Sequence, residues 1–149
     1  MFRMTSKRLL QTTVATLGLI PVVTGAAGVL AGPEIVVGAP PGSVDLDSHF
    51  RFLSGIFLGV GLTFYATIPS IERKTSLFRL AAALVFAGGI GRLISLPVAG
   101  VPEAPHLFGL AMELLVVPAL VLWQTNVSRR ASKPAERQGP FDGAECPEK

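Results

Sequence analysis

Charge is scarce in this chain, and cysteine is nearly absent. Only 15% of its 149 residues are Asp, Glu, Lys or Arg, against about 25% in a soluble domain. Half of the residues are hydrophobic, and mean hydropathy is +0.55. The single cysteine, Cys146, excludes an intrachain disulfide and any Cys-based metal site. Neither histidine, His49 or His106, lies in the interior of an apolar run. Haem or quinone ligation by paired intramembrane histidines therefore has no residues to carry it. A Gly-rich phosphate loop, a zinc-protease pattern and a nucleophile elbow are also missing. No motif implies a cofactor.

The charges that remain are clustered, with long uncharged stretches between them. That is the pattern of a polytopic membrane protein, because one span needs ~20 mostly apolar residues. The sequence pI is about 9.5, but the Lys and Arg residues sit beside the apolar runs, where they set orientation. No basic stripe interleaved with aromatics exists, so a nucleic-acid partner is not expected.

The runs divide the chain as follows. Residues 1–8, with Arg3, Lys7 and Arg8, form an N-tail, and residues 9–31 form the first span. At ~1.5 Å per residue this span reaches about 34 Å, enough to cross a ~30 Å hydrocarbon core. A cleaved signal peptide is the rival reading of the same segment. The run exceeds a typical h-region, which favours a retained helix. Residues 32–49 form a loop broken by Gly32, Pro33, Pro40, Pro41 and Gly42. Ile35, Val36 and Val37 are expected to form a short extended piece there, and Asp47 or Ser48 to cap the next helix. Asp45, Asp47 and His49 alternate and would share one side of an extended chain. Capping and solvation explain them better than a metal does. The second span is 50–70, closed by Pro69. A charged turn at 71–76 follows, then the third span at 77–98, a turn at 99–105, and the fourth span at 106–124. The polar tail at 125–149 has too little apolar content to fold alone and is expected to be disordered.

The N-tail, the 71–76 turn and the C-tail carry basic residues close to the apolar runs. The loops at 32–49 and 99–105 carry none. The positive-inside rule then puts both termini in the cytoplasm. The expected architecture is an all-α, four-helix transmembrane bundle, N-in and C-in, in the inner or plasma membrane of the cell.

Two charges fall inside spans, Arg92 and Glu113. A charge at the centre of a span costs ~2.5–3.5 kcal/mol on insertion scales and suggests function by default. Each lies about seven residues from the 99–105 turn, or roughly 10 Å at the helical rise. Their helices run antiparallel, so the two residues sit at similar depth and an ion pair is the cheapest way to bury both. Gly88, Arg92 and Ser95 share one face of the third helix, with Gly91 at its edge, and His106, Gly109 and Glu113 share one face of the fourth. On the second helix, Arg51, Gly55 and Gly59 recur every four residues, and a Gly-x-x-x-Gly spacing permits close helix approach. The candidate ligand-binding residues are therefore Arg92, Glu113, Ser95, Arg51 and His106. The candidate packing residues are Gly55, Gly59, Gly88, Gly91 and Gly109. No catalytic or metal-binding residue is assigned.

One further signal is the stretch Asp47-Ser48-His49-Phe50-Arg51-Phe52-Leu53-Ser54-Gly55 with Gly59. Gly88-Gly89-Ile90-Gly91-Arg92-Leu93-Ile94-Ser95 follows, and then Gly100-Val101-Pro102 and Glu113. Together these resemble the bacterial domain-of-unknown-function 4345 family over roughly residues 45–125. His49 stands where that pattern often has Asn. The family is similar to DoxX-like four-helix membrane proteins, some of them linked to redox or quinone-related membrane assemblies. The resemblance implies a four-helix membrane bundle and no particular chemistry.

Three functions are consistent with these residues. The first is a module that binds a small apolar or amphipathic molecule at the Arg92/Glu113 site. The second is a structural or accessory subunit, in which the pair clasps two helices and the glycine faces meet a second copy or another subunit of a membrane complex. An enzyme acting on lipid or quinone ranks last, since the spans offer one embedded carboxylate and no obvious nucleophile. A transporter is also disfavoured, because four helices without a repeat offer little machinery for alternating access.

Overall fold

The computed structural model describes residues 2–36 and 42–132. All regular structure among them is helical. Helix α1 spans Phe2–Ala31 and runs into a 3-10 turn at Gly32–Ile35. Helix α2 spans Val44–Thr67 and ends in a 3-10 turn at Ile68–Ser70. Helix α3 spans Thr75–Ala99. The last helix has two halves, α4 (Ala104–Ala111) and α5 (Val117–Ser132), joined by a wide π turn at Met112–Val116. Among the described residues, four stretches are long and apolar enough to cross a membrane: Ser6–Ile35, Val44–Ser70, Thr75–Ala99 and Ala104–Ser132.

Four threonines inside these stretches satisfy their hydroxyls within their own helix, as a lipid environment favours. The hydroxyls of Thr12, Thr13, Thr24 and Thr63 donate to the carbonyls of Arg8, Leu9, Ile20 and Gly59, one turn back. Pro21 cannot donate and leaves the carbonyl of Leu17 without its usual partner, yet α1 continues through it.

Helices α1 and α2 are packed along most of their length. At Gly25 an added Cβ would lie 2.6 Å from the backbone nitrogen of Leu58, and at Gly61 2.8 Å from Val22 Cγ2. Gly28, where an added Cβ would lie 2.7 Å from Ser54 Cβ, joins these two in setting the close approach. The expected packing positions behave differently. Gly55 is in ordinary contact with Val29, Gly109 lies beside Arg92, and Gly59, Gly88 and Gly91 have no neighbour at the Cβ position among the described residues.

The core sits toward the end that carries Lys7, Arg8, Arg73, Lys74, Arg129 and Arg130, here termed the basic end. Leu10 and Val14 of α1 meet Val60 and Phe64 of α2, Phe78, Ala81 and Ala82 of α3, and Leu120 and Val127 of α5. Phe64 and Phe78 pack edge to face, with centroids 5.2 Å apart. Polar side chains staple this end. Fully buried Gln124 donates to the Ile71 carbonyl (2.8 Å) and to Thr75 Oγ1 (2.9 Å). Gln11 donates to the Ile68 carbonyl, Trp123 Nε1 to Ser6 Oγ, and Lys7 Nζ lies 2.9 Å from Glu72 Oε2. Burial pushes the Glu72 carboxyl up, but its own backbone N–H, the Lys7 ammonium and Arg73 together hold it below the usual carboxylate value.

Several boundaries differ from the sequence expectation. Helix α2 begins at Val44, inside the expected 32–49 loop. Its cap is Ser43, whose Oγ accepts from Leu46 N–H, and not Asp47 or Ser48. The segment holding Asp45, Asp47 and His49 is therefore helical, so the three do not share one side. No cluster of three metal-ligating side chains occurs among the described residues. Ile35 belongs to a 3-10 turn and Val36 alone is extended, while Val37 lies outside the described residues. The N-tail is helical from Phe2. At the other end α5 continues to Ser132, eight residues past the expected span. Thr75 Oγ1 donates to Ser128 Oγ, and Arg79 Nη2 donates to Thr125 Oγ1. These ties hold a polar segment whose composition alone would not order it. Arg129 and Arg130 in its last turn also suit the helix dipole. The rest of the expected disordered tail, residues 133–149, lies outside the described residues.

Candidate ligand-binding cleft between α3 and α4

The site begins with Pro118. Proline has no N–H for the carbonyl four residues back, and its ring crowds that carbonyl. The chain widens just before it, so that the Val117 N–H reaches the carbonyl of Met112, five residues back. Such π turns recur at functional sites. This one carries Glu113 and presses it against α3. An added Cβ at Gly89 would lie 2.9 Å from Glu113 Cβ and 2.8 Å from Leu114 Cδ2. A glycine is therefore required at 89 for the two helices to meet.

Arg92 stands three residues beyond Gly89 on the same side of α3. Its Nε lies 3.2 Å from Glu113 Oε2. The Glu113 side chain is 10% exposed and that of Arg92 is 43% exposed. The pair is thus asymmetric, with the carboxylate behind and the guanidinium in front. Arg92 Nη1 lies 3.3 Å from His106 Nδ1. A guanidinium only donates, so Nδ1 accepts and a neutral His106 carries its proton on Nε2. Gly109 leaves room beside the guanidinium.

In front of Arg92 lies a cleft of about 280 Å³. Its polar lining is Arg92, Ser95 and His106; Leu96 and Leu110 form apolar walls, and the Gly100–Pro102 turn closes the end. Gly100 has φ of +95°, which suits glycine at this turn. Glu113 does not line the cleft, because it sits behind Arg92.

Arg51 is engaged elsewhere. Its Nε binds Asp47 Oδ2 at 2.9 Å, and its Nη1 donates to the carbonyls of Val29 (2.7 Å) and Leu30 (2.9 Å). It thereby caps the last turn of α1, whose carbonyls lack helical partners. Gly32 follows with φ of +71°, and an added Cβ there would lie 2.5 Å from Asp47 Oδ1. The structure thus brings Arg92, Glu113, Ser95 and His106 together and assigns Arg51 to the α1–α2 hairpin. Gly89, Leu96 and Leu110 were missed in the sequence. The first could have been found from its three-residue spacing to Arg92.

Residues 9–124 match the family described as a domain of unknown function, DUF4345. The chain belongs to the DUF4345 family. The match reaches into all four long helices, leaving out the start of the first and the end of the last, and includes every residue of the Arg92 cleft. No curated protein and no solved structure matches the chain. Membership in DUF4345, together with four apolar helices, describes a multi-pass membrane protein whose environment is a lipid bilayer.

Proposed function

We propose that this DUF4345 protein holds a small amphipathic molecule in the Arg92 cleft, with both termini in the cytoplasm. The basic residues at one end of the helices support that orientation. The cleft would then open on the outer side of the inner or plasma membrane. One observation carries the binding reading. Arg92 is embedded in a span, is paired from behind by a buried carboxylate, and still leaves 43% of its side chain uncovered while lining an open cleft. A simple clasp between helices needs the pair but not the cleft. Glu113 positions Arg92, and Arg92, His106 and Ser95 make the contacts.

Native mass spectrometry of the full chain in mild detergent tests this. A discrete small-molecule adduct is expected on the wild type. Ser95→Phe fills the cleft without touching the ion pair and should remove the adduct while leaving heat stability unchanged. An adduct-free wild type would overturn the reading.

A second reading, an accessory subunit, has its own support. Among the described residues, helix α4 touches only α3 and the π turn, and Gly88 and Gly91 meet nothing. A helix of another subunit could lie there. Crosslinking in native membranes that yields only the monomer would count against it.

A further inference from the structure

The donors and acceptors of the cleft can be counted. Arg92 has five N–H donors and no acceptor. Nε faces Glu113, and one Nη1 hydrogen faces His106. The second Nη1 hydrogen and both on Nη2 have no partner among the described residues. His106 has Nε2–H to offer once Nδ1 accepts from Arg92. Ser95 Oγ makes no hydrogen bond among the described residues. Among the described residues, no carboxylate lines the cleft. A donor-rich lining of this kind suits a head group that only accepts. Guanidinium pairs with carboxylate and phosphate oxygens are among the strongest such contacts, because both hydrogen bonds are charge-assisted and parallel.

Size points the same way. The volume of about 280 Å³ sits at the lower edge of the ~300–1,000 Å³ usual for small-molecule pockets. It accommodates a head group and a few carbons, not a long molecule. Any remaining chain has to leave the cleft, and α3 offers a path. Gly88, Gly91 and Ser95 follow at spacings of three and four, which places them along one side of the helix. At Gly88 and Gly91 an added Cβ would meet nothing within 4 Å among the described residues. This bare strip starts at the cleft and runs toward the middle of α3, the direction in which a lipid tail points.

We infer that the cleft receives an acyl chain ending in an anionic oxyacid, a carboxylate or a phosphate monoester. The head meets Arg92, His106 and Ser95, and the chain lies along Gly91 and Gly88. This rests on the binding role proposed above and adds the ligand's chemical class.

The full chain in detergent is titrated with hexadecanoate, its methyl ester, hexadecanol, hexadecyl phosphate, hexanoate and inorganic phosphate, read by native mass spectrometry. Losing a charge-assisted hydrogen bond should weaken the ester roughly ten- to hundred-fold relative to the acid. Gly91→Leu, a favourable change in a helix, should bring hexadecanoate down to the affinity of hexanoate and leave hexanoate itself unchanged. The double variant Arg92→Gln/Glu113→Gln, which strands no charge, should abolish the preference for acid over ester. Whichever of hexadecanoate and hexadecyl phosphate binds tighter identifies the head. Ester binding equal to acid would overturn the anionic head while leaving an amphiphile site standing. Inorganic phosphate binding as tightly as hexadecyl phosphate would overturn the acyl chain. Failure of all the long-chain probes, with a discrete adduct still present on the purified wild type, would overturn the acyl class and leave the binding role standing; failure of the probes and no adduct would overturn both.

Discussion

Replacing Arg92 by Gln and replacing Glu113 by Gln should have unequal costs, although each removes one half of the same ion pair. Breaking a buried pair costs ~3–5 kcal/mol when a charge is left behind uncompensated, whereas exposed pairs are worth about 0–1 kcal/mol. The two side chains differ in which limit applies. Glu113 is 10% exposed and Arg92 is 43% exposed. Arg92→Gln strands the carboxylate against Gly89 and should cost about 3 kcal/mol. Glu113→Gln leaves an arginine whose outer edge already faces an open cleft and should cost about 1 kcal/mol. The double variant strands nothing and should cost about 1–2 kcal/mol, well short of the sum. At ~2–4 °C per kcal/mol for a chain of this size, Arg92→Gln should lower the midpoint of heat unfolding by about 6–12 °C. The assay is the fraction that remains monodisperse in detergent after heating, measured for all four proteins of the cycle. Equal single losses, or losses that simply add, would refute the placement of Glu113 behind Arg92.

Gly32→Ala should cost about 1–2 kcal/mol, because φ is +71° there and the new Cβ would meet the Asp47–Arg51 pair. Faster hydrogen exchange at the end of α1, with the basic end unchanged, checks it. Gln124→Leu removes two donated hydrogen bonds from a fully buried site and leaves the Ile71 carbonyl unsatisfied. A loss of roughly 1–3 kcal/mol in thermal stability is expected. The Lys7–Glu72 pair sets an acid limb. Glu72 is held below its ordinary value when folded, so its contribution is complete above the unfolded pKa of ~4.3 and fades as pH falls through the lower folded value. Glu72→Gln should flatten that part of a stability–pH curve by about 0.5–1 kcal/mol. An unchanged curve would show that the pair contributes nothing.

The four spans were legible because a membrane helix advertises itself by length and by the absence of charge. Arg92 and Glu113 could be set opposite each other from helical rise alone, since a tight turn fixes the register of the two helices. Arg51 was harder. Its spacing to Gly55 and Gly59 is helical, but a long side chain four residues from Asp47 can equally reach a neighbouring helix end, and the carbonyls of Val29 and Leu30 lie there. Gly32 followed by Pro33 was the readable hint of that end. The placement of Gly89, and not Gly88, against Glu113 depends on the widened turn, and Pro118 marks such a turn without fixing its width. The extension of α5 to Ser132 rests on tertiary bonds from Thr75 and Arg79, which a window of polar residues does not disclose.

The widened turn at Met112–Val116 gives the last helix a tolerance in length that helices seldom have. Residues before it face Arg92, and residues after it face the core at Leu120, Gln124 and Val127. Because the turn holds one residue more than an ordinary one, deleting a single residue there would let the helix close up into regular α-helix. The halves on either side would keep their facing, so His106 would stay beside Arg92 and the stapled end would stay in place. A second deletion has no surplus to draw on and would rotate α4 by about 100° relative to α5, one residue's share of a 3.6-residue turn. Insertions and deletions are normally tolerated in loops. In this protein a segment inside a span can absorb one deletion, and only one, before His106 and Glu113 swing away from α3.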